Sequence, residues 1–297
     1  MTKTDVSFKS DNLKLAGHLY IPDTYKQGEK LPAIITVHPF GGVKEQTAGV
    51  YSKELANHGF ITLAFDRRHQ GSSEGEPRQL ENPEGMTEDV KAAVTFLTLQ
   101  EQVDPERIGV LGVCAGGGYA VLATSTDYRI KACATVSGVC LGGFIRSIGK
   151  EALNAIMVDA GKNRTEVANG GEVRYLPIVT ALNEVTPETP ELLREGGDYY
   201  LTPRGSYKTS INRSAVMGYD RLATFNAFAF ADWISPRPLL LIAGDKADTL
   251  AFSEEAYKKA KEPKELYLIK DSTHIALYDY RIPDAIPKLA EFYKKNL

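Results

Sequence analysis

The chain has 297 residues, 43% of them hydrophobic and 25% charged, with a formal net charge of -3 and a pI near 6.0. This is the balance of a globular protein, and the length suits one large α/β domain with an insertion or two small domains. The absence of a basic footprint or a long block of one sign argues against a nucleic-acid partner.

The N-terminal stretch "MTKTDVSFKSDNLKL" is polar and alternating, without the apolar core of a secretory leader. No apolar run is long enough to cross a bilayer. The expectation is a cytoplasmic protein with no membrane partner. Cys114, Cys133 and Cys140 form no CxxC pair and no disulfide framework. The five histidines show no close metal-ligand spacing, so neither a metal nor an organic cofactor is expected. The expected partner is a small-molecule substrate, and monomer and homo-oligomer both remain open.

In chain order, "VSFKS" and "LKLAGHLYIP" alternate around Asp11-Asn12 and predict a hairpin. "LPAIITVHPFGG" opens with a run apolar on both faces, which suits a strand inside a parallel sheet. "TAGVYSKELANHG" has helical spacing and a glycine stop, and "FITLAFD" is the next buried strand. Val90, Ala93, Val94 and Leu97 line one face of a helix. "DPERIGVLGV" is turn and strand, a helix follows from Gly116, and "IKACATVSGVC" is a further strand. This alternation predicts a mostly parallel sheet covered by helices on both faces.

The rhythm breaks after Cys140. Residues 141–235 show helical stretches and no clear buried strand. "TPELLREGG" predicts a short helix capped by Thr189 and stopped at Gly196, and "YDRLATFNAFAFADW" predicts another. "PLLLIAG" and "ELYLIK" then resume the sheet, and an amphipathic helix closes the chain from Pro283 to Leu297. The segment 141–235 is therefore expected to be a helical cap over the sheet's carboxyl edge, with 1–140 and 236–297 forming the core.

The chemistry centres on "LGVCAGGGYA", from Leu111 to Ala120. Gly112-Val113-Cys114-Ala115-Gly116 follows the G-x-S-x-G pattern of a nucleophile elbow, with cysteine at the nucleophile position. Such a turn needs small neighbours and aims a helix N-terminus at the nucleophile, which is expected to lower the thiol pKa from about 8.5. Taken alone, the glycines serve strand–helix packing equally well, with Cys114 an inert thiol. The downstream residues favour the nucleophile, because an acid follows one strand and a histidine the next. His274 is the expected general base, oriented by Asp248, with Asp245 capping the turn. The oxyanion donors are expected to be the backbone N–H of Ala115 and that of Phe40, with Gly41 as alternative to Phe40. His38 is read as structural. His69, Tyr199, Tyr200 and Trp233 are the candidate substrate-pocket residues, with a structural role as the competing reading for each.

"GVCAGG", "LAFDRRHQGSS", "LLLIAGDKAD" and "DSTH" together resemble the α/β-hydrolase superfamily over nearly the whole chain. The cysteine resembles the dienelactone-hydrolase-like branch, which implies a Cys-Asp-His triad on an α/β-hydrolase fold. "VHPFGGVKEQTAGVYSKELANHGFITLAFD" and "GVCAGGGYAV" look more specifically like the bacterial YcjY-type hydrolases. Two departures stand out. The oxyanion loop His38-Pro39-Phe40 lacks that branch's glutamate, Glu45 lying further on, and dienelactone hydrolase has no long cap. The expected activity is hydrolysis of a small carboxylic ester, thioester or lactone through a thioester acyl-enzyme. The alternatives are acyl transfer on the same residues and a non-catalytic binder of small ligands.

Overall fold

The computed structural model describes all 297 residues. β1 (Thr2–Ser10) and β2 (Leu13–Ile21) pair antiparallel as the expected hairpin. Asp11 takes the left-handed φ of 50° that the tight turn needs. β3 (Leu31–Val37), α1 (Thr47–Asn57), β4 (Ile61–Phe65), α2 (Pro83–Thr98), β5 (Val103–Val113), α3 (Ala115–Thr126) and β6 (Ile130–Val136) follow in strand–helix alternation. After an insertion come β9 (Leu239–Gly244), α8 (Leu250–Lys259), β10 (Lys264–Ile269) and α9 (Ile282–Asn296).

These strands form one eight-stranded sheet in the order β1-β2-β4-β3-β5-β6-β9-β10. It is parallel from β4 to β10, with the hairpin antiparallel at one edge. The order reverses between β4 and β5, and the carboxyl ends of β3 and β5 lie side by side there. Loops at such a reversal leave a crevice where α/β proteins bind ligands.

The double-sided apolar run predicts the burial well. Ile34 and Ile35 point to opposite faces of β3 and both are fully buried, a burial that stabilises by about 1.5–3 kcal/mol for each such side chain. One face packs Val90, Ala93 and Val94 of α2 with Tyr119 and Ala120 of α3. The other packs Tyr51 and Leu55 of α1 with Leu289 and Tyr293 of α9. No helix is long and apolar enough to cross a membrane.

The insertion holds α4 (Leu141–Arg146), α5 (Lys150–Ala168), α6 (Glu191–Leu201) and α7 (Tyr219–Thr224), together with a two-stranded ribbon of β7 (Tyr175–Pro177) and β8 (Arg213–Ala215). Three local expectations are corrected. The ribbon strands, at three residues each, are too short to show a period-two pattern in sequence. α6 does not stop at Gly196 but runs to Leu201. Its two glycines serve close packing, since a Cβ on Gly197 would lie 2.4 Å from the Thr180 carbonyl oxygen. The aromatic stretch after Tyr219 is not one helix: α7 ends at Thr224, and a separate 3₁₀ turn covers Ala231–Ile234.

Candidate active site

Cys114 is the single residue between β5 and α3. Its φ of 54° and ψ of -123° lie where non-glycine residues are strained, at a cost of about 1–3 kcal/mol. The surroundings fix that geometry. The Cys114 N–H donates to the Val136 carbonyl at 3.0 Å, and its own carbonyl accepts from Gly117 and Val139, each at 2.9 Å. The turn closes only on glycine: a Cβ on Gly112 would sit 2.3 Å from the Gly116 oxygen, and one on Gly116 would sit 2.2 Å from the Val37 oxygen. The G-x-C-x-G spacing is thus a packing requirement of an elbow that lifts Cys114 out of the sheet.

The half-buried Cys114 lies in a cavity of about 60 Å³. Phe40, Val139, Ile275 and Tyr278 line it from the sheet edge, and Leu141, Phe144, Ile178, Val179, Leu192, Leu193, Gly196 and Tyr200 from the insertion. No charged side chain is among them. Ala115 opens α3 directly after Cys114 and Phe40 lines the same cavity, and the backbone N–H groups of both act on the Cys114 sulfur, favouring its charged form. The expected low thiol pKa is corrected: burial pushes it up. The Tyr278 hydroxyl, the two N–H groups and the Arg67 charge pull the other way without winning. Desolvation of a thiolate by these apolar walls outweighs the partial charge of one helix terminus. Cys133 is fully buried with its thiol raised to about 12. Cys140 caps α4, its sulfur accepting from the Ala227 N–H at 3.3 Å. Both are structural.

His274 follows β10 and is buried beside the cavity wall. Its two ring nitrogens are taken: Nδ1 meets Thr249 Oγ1 at 2.5 Å, and Nε2 meets the Tyr278 hydroxyl at 3.1 Å. Burial alone pushes its pKa down to about 3, so the ring is neutral near pH 7. The expected contact with Asp248 is not made. Asp248 is exposed, and its Oδ2 accepts from the Leu192 N–H at 3.1 Å, in the first turn of α6. A free helix N–H and a carboxylate satisfy each other there, and the next residue, Thr249, faces the histidine. Asp245 does not cap its own turn; its carboxylate accepts from the Ser272 N–H at 3.4 Å, in the loop after β10.

The remaining candidates divide. Tyr200 lines the cavity. Tyr199 does not; it packs edge-on against Tyr200 at 4.9 Å and Tyr278 at 5.3 Å between ring centres. His69 is corrected to a structural role. It lies outside the cavity, with Nδ1 bonded to the Pro77 carbonyl at 3.1 Å. Trp233 is also corrected: it is 51% exposed and tilts against Phe230, on a turn outside the cavity. Glu45 does not line the cavity and pairs with Lys44 at 2.7 Å. His38 is structural, its Nδ1–H donating to the Pro39 carbonyl at 2.8 Å.

Residues 11–142 match the model of the X-Pro dipeptidyl-peptidase (S15) family. Over the full length of both chains, the protein is 37% identical to the uncharacterized protein YcjY of Escherichia coli (strain K12). The chain belongs to the α/β-hydrolase family. The crystal structure of the hypothetical protein PA2218 of Pseudomonas aeruginosa superposes on it with a TM-score of 0.93 at 35% identity, covering all of this chain and 94% of that one. A thiohydrolase of Aspergillus aculeatus, aneE, is 26% identical over 93% of this α/β hydrolase and 87% of its own length.

Sequence reasoning missed Tyr278 and Thr249. Tyr278 stands four residues after His274 in "HIALY"; the 3₁₀ turn between them brings its hydroxyl to Nε2, a contact that no helical or strand periodicity announces. Thr249 gave no separate signal beside two aspartates.

Proposed function

We infer that this α/β hydrolase cleaves small, uncharged carboxylic esters, thioesters or lactones through a thioester acyl-enzyme on Cys114. The observation that carries this reading is the convergence at one sulfur: a strained elbow holds it, two backbone N–H groups act on it, and an uncharged cavity opens over it. In the resting state the sulfur is a thiol and His274 is neutral. Deprotonation therefore accompanies attack, with His274 as the general base. As sulfur bonds to the carbonyl carbon, the oxygen takes the negative charge between the N–H groups of Ala115 and Phe40. Collapse expels the alcohol or thiol, and water then cleaves the acyl-cysteine.

Thr249 holds Nδ1 of His274 in the role expected for Asp248. A neutral hydroxyl fixes the ring's tautomer but stabilises an imidazolium less than a carboxylate does. This favours activated substrates, among them thioesters, whose exchange onto a cysteine trades one thioester for another. The relationship to a thiohydrolase supports the same substrate class.

The test is rapid mixing with p-nitrophenyl acetate and with a short acyl thioester, followed by mass analysis of the quenched protein. The expected result is a burst of about one product per chain with acetyl on Cys114, both lost in Cys114→Ala. No burst, no adduct and no turnover would leave a ligand-binding protein on a hydrolase fold. Faster turnover with an added thiol or alcohol acceptor would make it a transferase.

A further inference from the structure

We propose that Tyr278 is a catalytic residue, its hydroxyl carrying the proton between Cys114 and His274. This rests on Cys114 being the nucleophile. In the structure the imidazole does not hydrogen-bond the sulfur: Thr249 takes Nδ1 and the Tyr278 hydroxyl takes Nε2, at 2.5 and 3.1 Å. Tyr278 and Cys114 line the same cavity, close enough for each to shift the other's ionisation. The Tyr278 hydroxyl therefore stands between the group that must lose a proton and the group that must take it.

The ring is held for this task. Tyr278 closes the 3₁₀ turn that begins after His274, and the Tyr51 hydroxyl donates to the Leu277 carbonyl at 2.8 Å, fixing that turn to α1. Tyr199 and Tyr200 pack edge-on against it. With Nδ1–H donating to Thr249, Nε2 is free to accept.

The step balances within the site. The sulfur's proton passes to the tyrosine oxygen as the tyrosine's own proton passes to Nε2. The sulfur forms its bond to the carbonyl carbon, and the π electrons move to the oxygen held by Ala115 and Phe40. On collapse the bond to the leaving oxygen or sulfur breaks, and the proton on Nε2 returns through the tyrosine oxygen to the departing group. In deacylation a water takes the place of the thiol. Tyrosine stays neutral before and after each step, which suits a phenol whose ionisation burial disfavours.

The experiment compares wild type, Tyr278→Phe, His274→Ala and the double variant by two readouts: acylation by p-nitrophenyl acetate in H₂O–D₂O mixtures, and alkylation of Cys114 by iodoacetamide at pH 7. Phenylalanine keeps the ring packing, and near-ultraviolet circular dichroism confirms the fold. The expected result is an acylation rate lower by about 10²-fold in Tyr278→Phe, with KM nearly unchanged. The wild-type rate should curve with deuterium fraction, as two protons in flight require, and become linear in the variant. Both single variants should slow alkylation equally, and the double variant no further, because they interrupt one path. Tyr278→Phe acylating at the wild-type rate or faster would overturn the relay and let His274 reach the sulfur directly. Failure of the underlying reading is distinct: Cys114→Ala would then retain activity, or wild type would form no acyl adduct.

Discussion

Arg67 donates through Nη2 to the Pro39 carbonyl at 3.0 Å, and His38 donates to the same oxygen at 2.8 Å. A trans peptide is planar, with C=O and N–H pointing opposite ways. Tying down the Pro39 oxygen therefore turns the Phe40 N–H toward Cys114. Arg67 is fully buried and bonded to Glu81 at 2.9 Å, and Glu81 also accepts from the Tyr119 hydroxyl at 2.7 Å. The oxyanion loop lacks the glutamate of the dienelactone-hydrolase-like branch. Here a buried arginine behind the loop, together with His38 and the Gly42 N–H at 3.1 Å, holds the Pro39 carbonyl and so sets the donor's direction.

Arg67→Lys should lower kcat by about 10²-fold with little change in KM, the effect of losing one oxyanion donor. Lysine keeps the charge but cannot bridge Glu81 and the Pro39 carbonyl through a planar fork. Glu81→Gln should destabilise by about 3–5 kcal/mol, because it leaves the buried guanidinium unpaired. Steady-state kinetics and urea unfolding check the two; an unchanged kcat in Arg67→Lys would mean that the Phe40 donor is held by the chain alone.

The mostly parallel sheet, its hairpin and the elbow were legible because each rests on local, periodic or steric signals: double-sided apolar runs, Asp11-Asn12, and glycines that nothing larger can replace. Cys114 was singled out by the elbow pattern, His274 by chain order, and Ala115 and Phe40 by their places after the nucleophile and after the first parallel strand. What was hidden depends on distant pairing. Asp248 and Thr249 are adjacent, and only the insertion's α6, by offering the Leu192 N–H, decides which of them turns to the histidine. Trp233 looked like a pocket aromatic because sequence cannot show which parts of an insertion cover the site and which pack beside it.

Thr249→Val should lower kcat by about tenfold, while Asp248→Asn should change it by less than about twofold. The first change leaves the histidine's Nδ1–H buried without a partner, a loss of about 1–3 kcal/mol, and frees the tautomer. The second keeps an oxygen that can accept from Leu192. Steady-state kinetics with p-nitrophenyl acetate separates them. A large loss in Asp248→Asn with a small one in Thr249→Val would show that the carboxylate leaves α6 and reaches His274 during turnover.

Acid should destabilise the fold through its buried histidines. Burial pushes His69 down to about 4 and His274 to about 3, and His38 lies well below 6.5. An unfolded histidine titrates near 6.5, so below that pH the unfolded chain binds protons that the folded one refuses. The stability tied to these neutral rings is complete above about pH 6.5 and falls as pH drops from there toward 4 and 3. His69 has a φ of 66°, which asparagine tolerates, so His69→Asn isolates one contribution. Urea midpoints at pH 7.5, 6 and 5 should fall less steeply in the variant. Parallel curves would mean that His69 takes up its proton without unfolding.

Acyl-chain length should be set by the wall from the insertion. The cavity of about 60 Å³ admits a short chain, and Leu192 is half-buried on that side. Leu192→Ala removes three carbons from the wall at a modest cost in stability. Each further methylene the cavity accepts is worth about 0.8 kcal/mol, or about fourfold in kcat/KM. Wild type should therefore lose activity beyond short p-nitrophenyl esters, and Leu192→Ala should move the optimum two to three carbons longer (roughly one methylene per carbon removed). Profiles over acetyl to octanoyl esters that peak at the same length in both proteins would place the acyl chain outside this cavity.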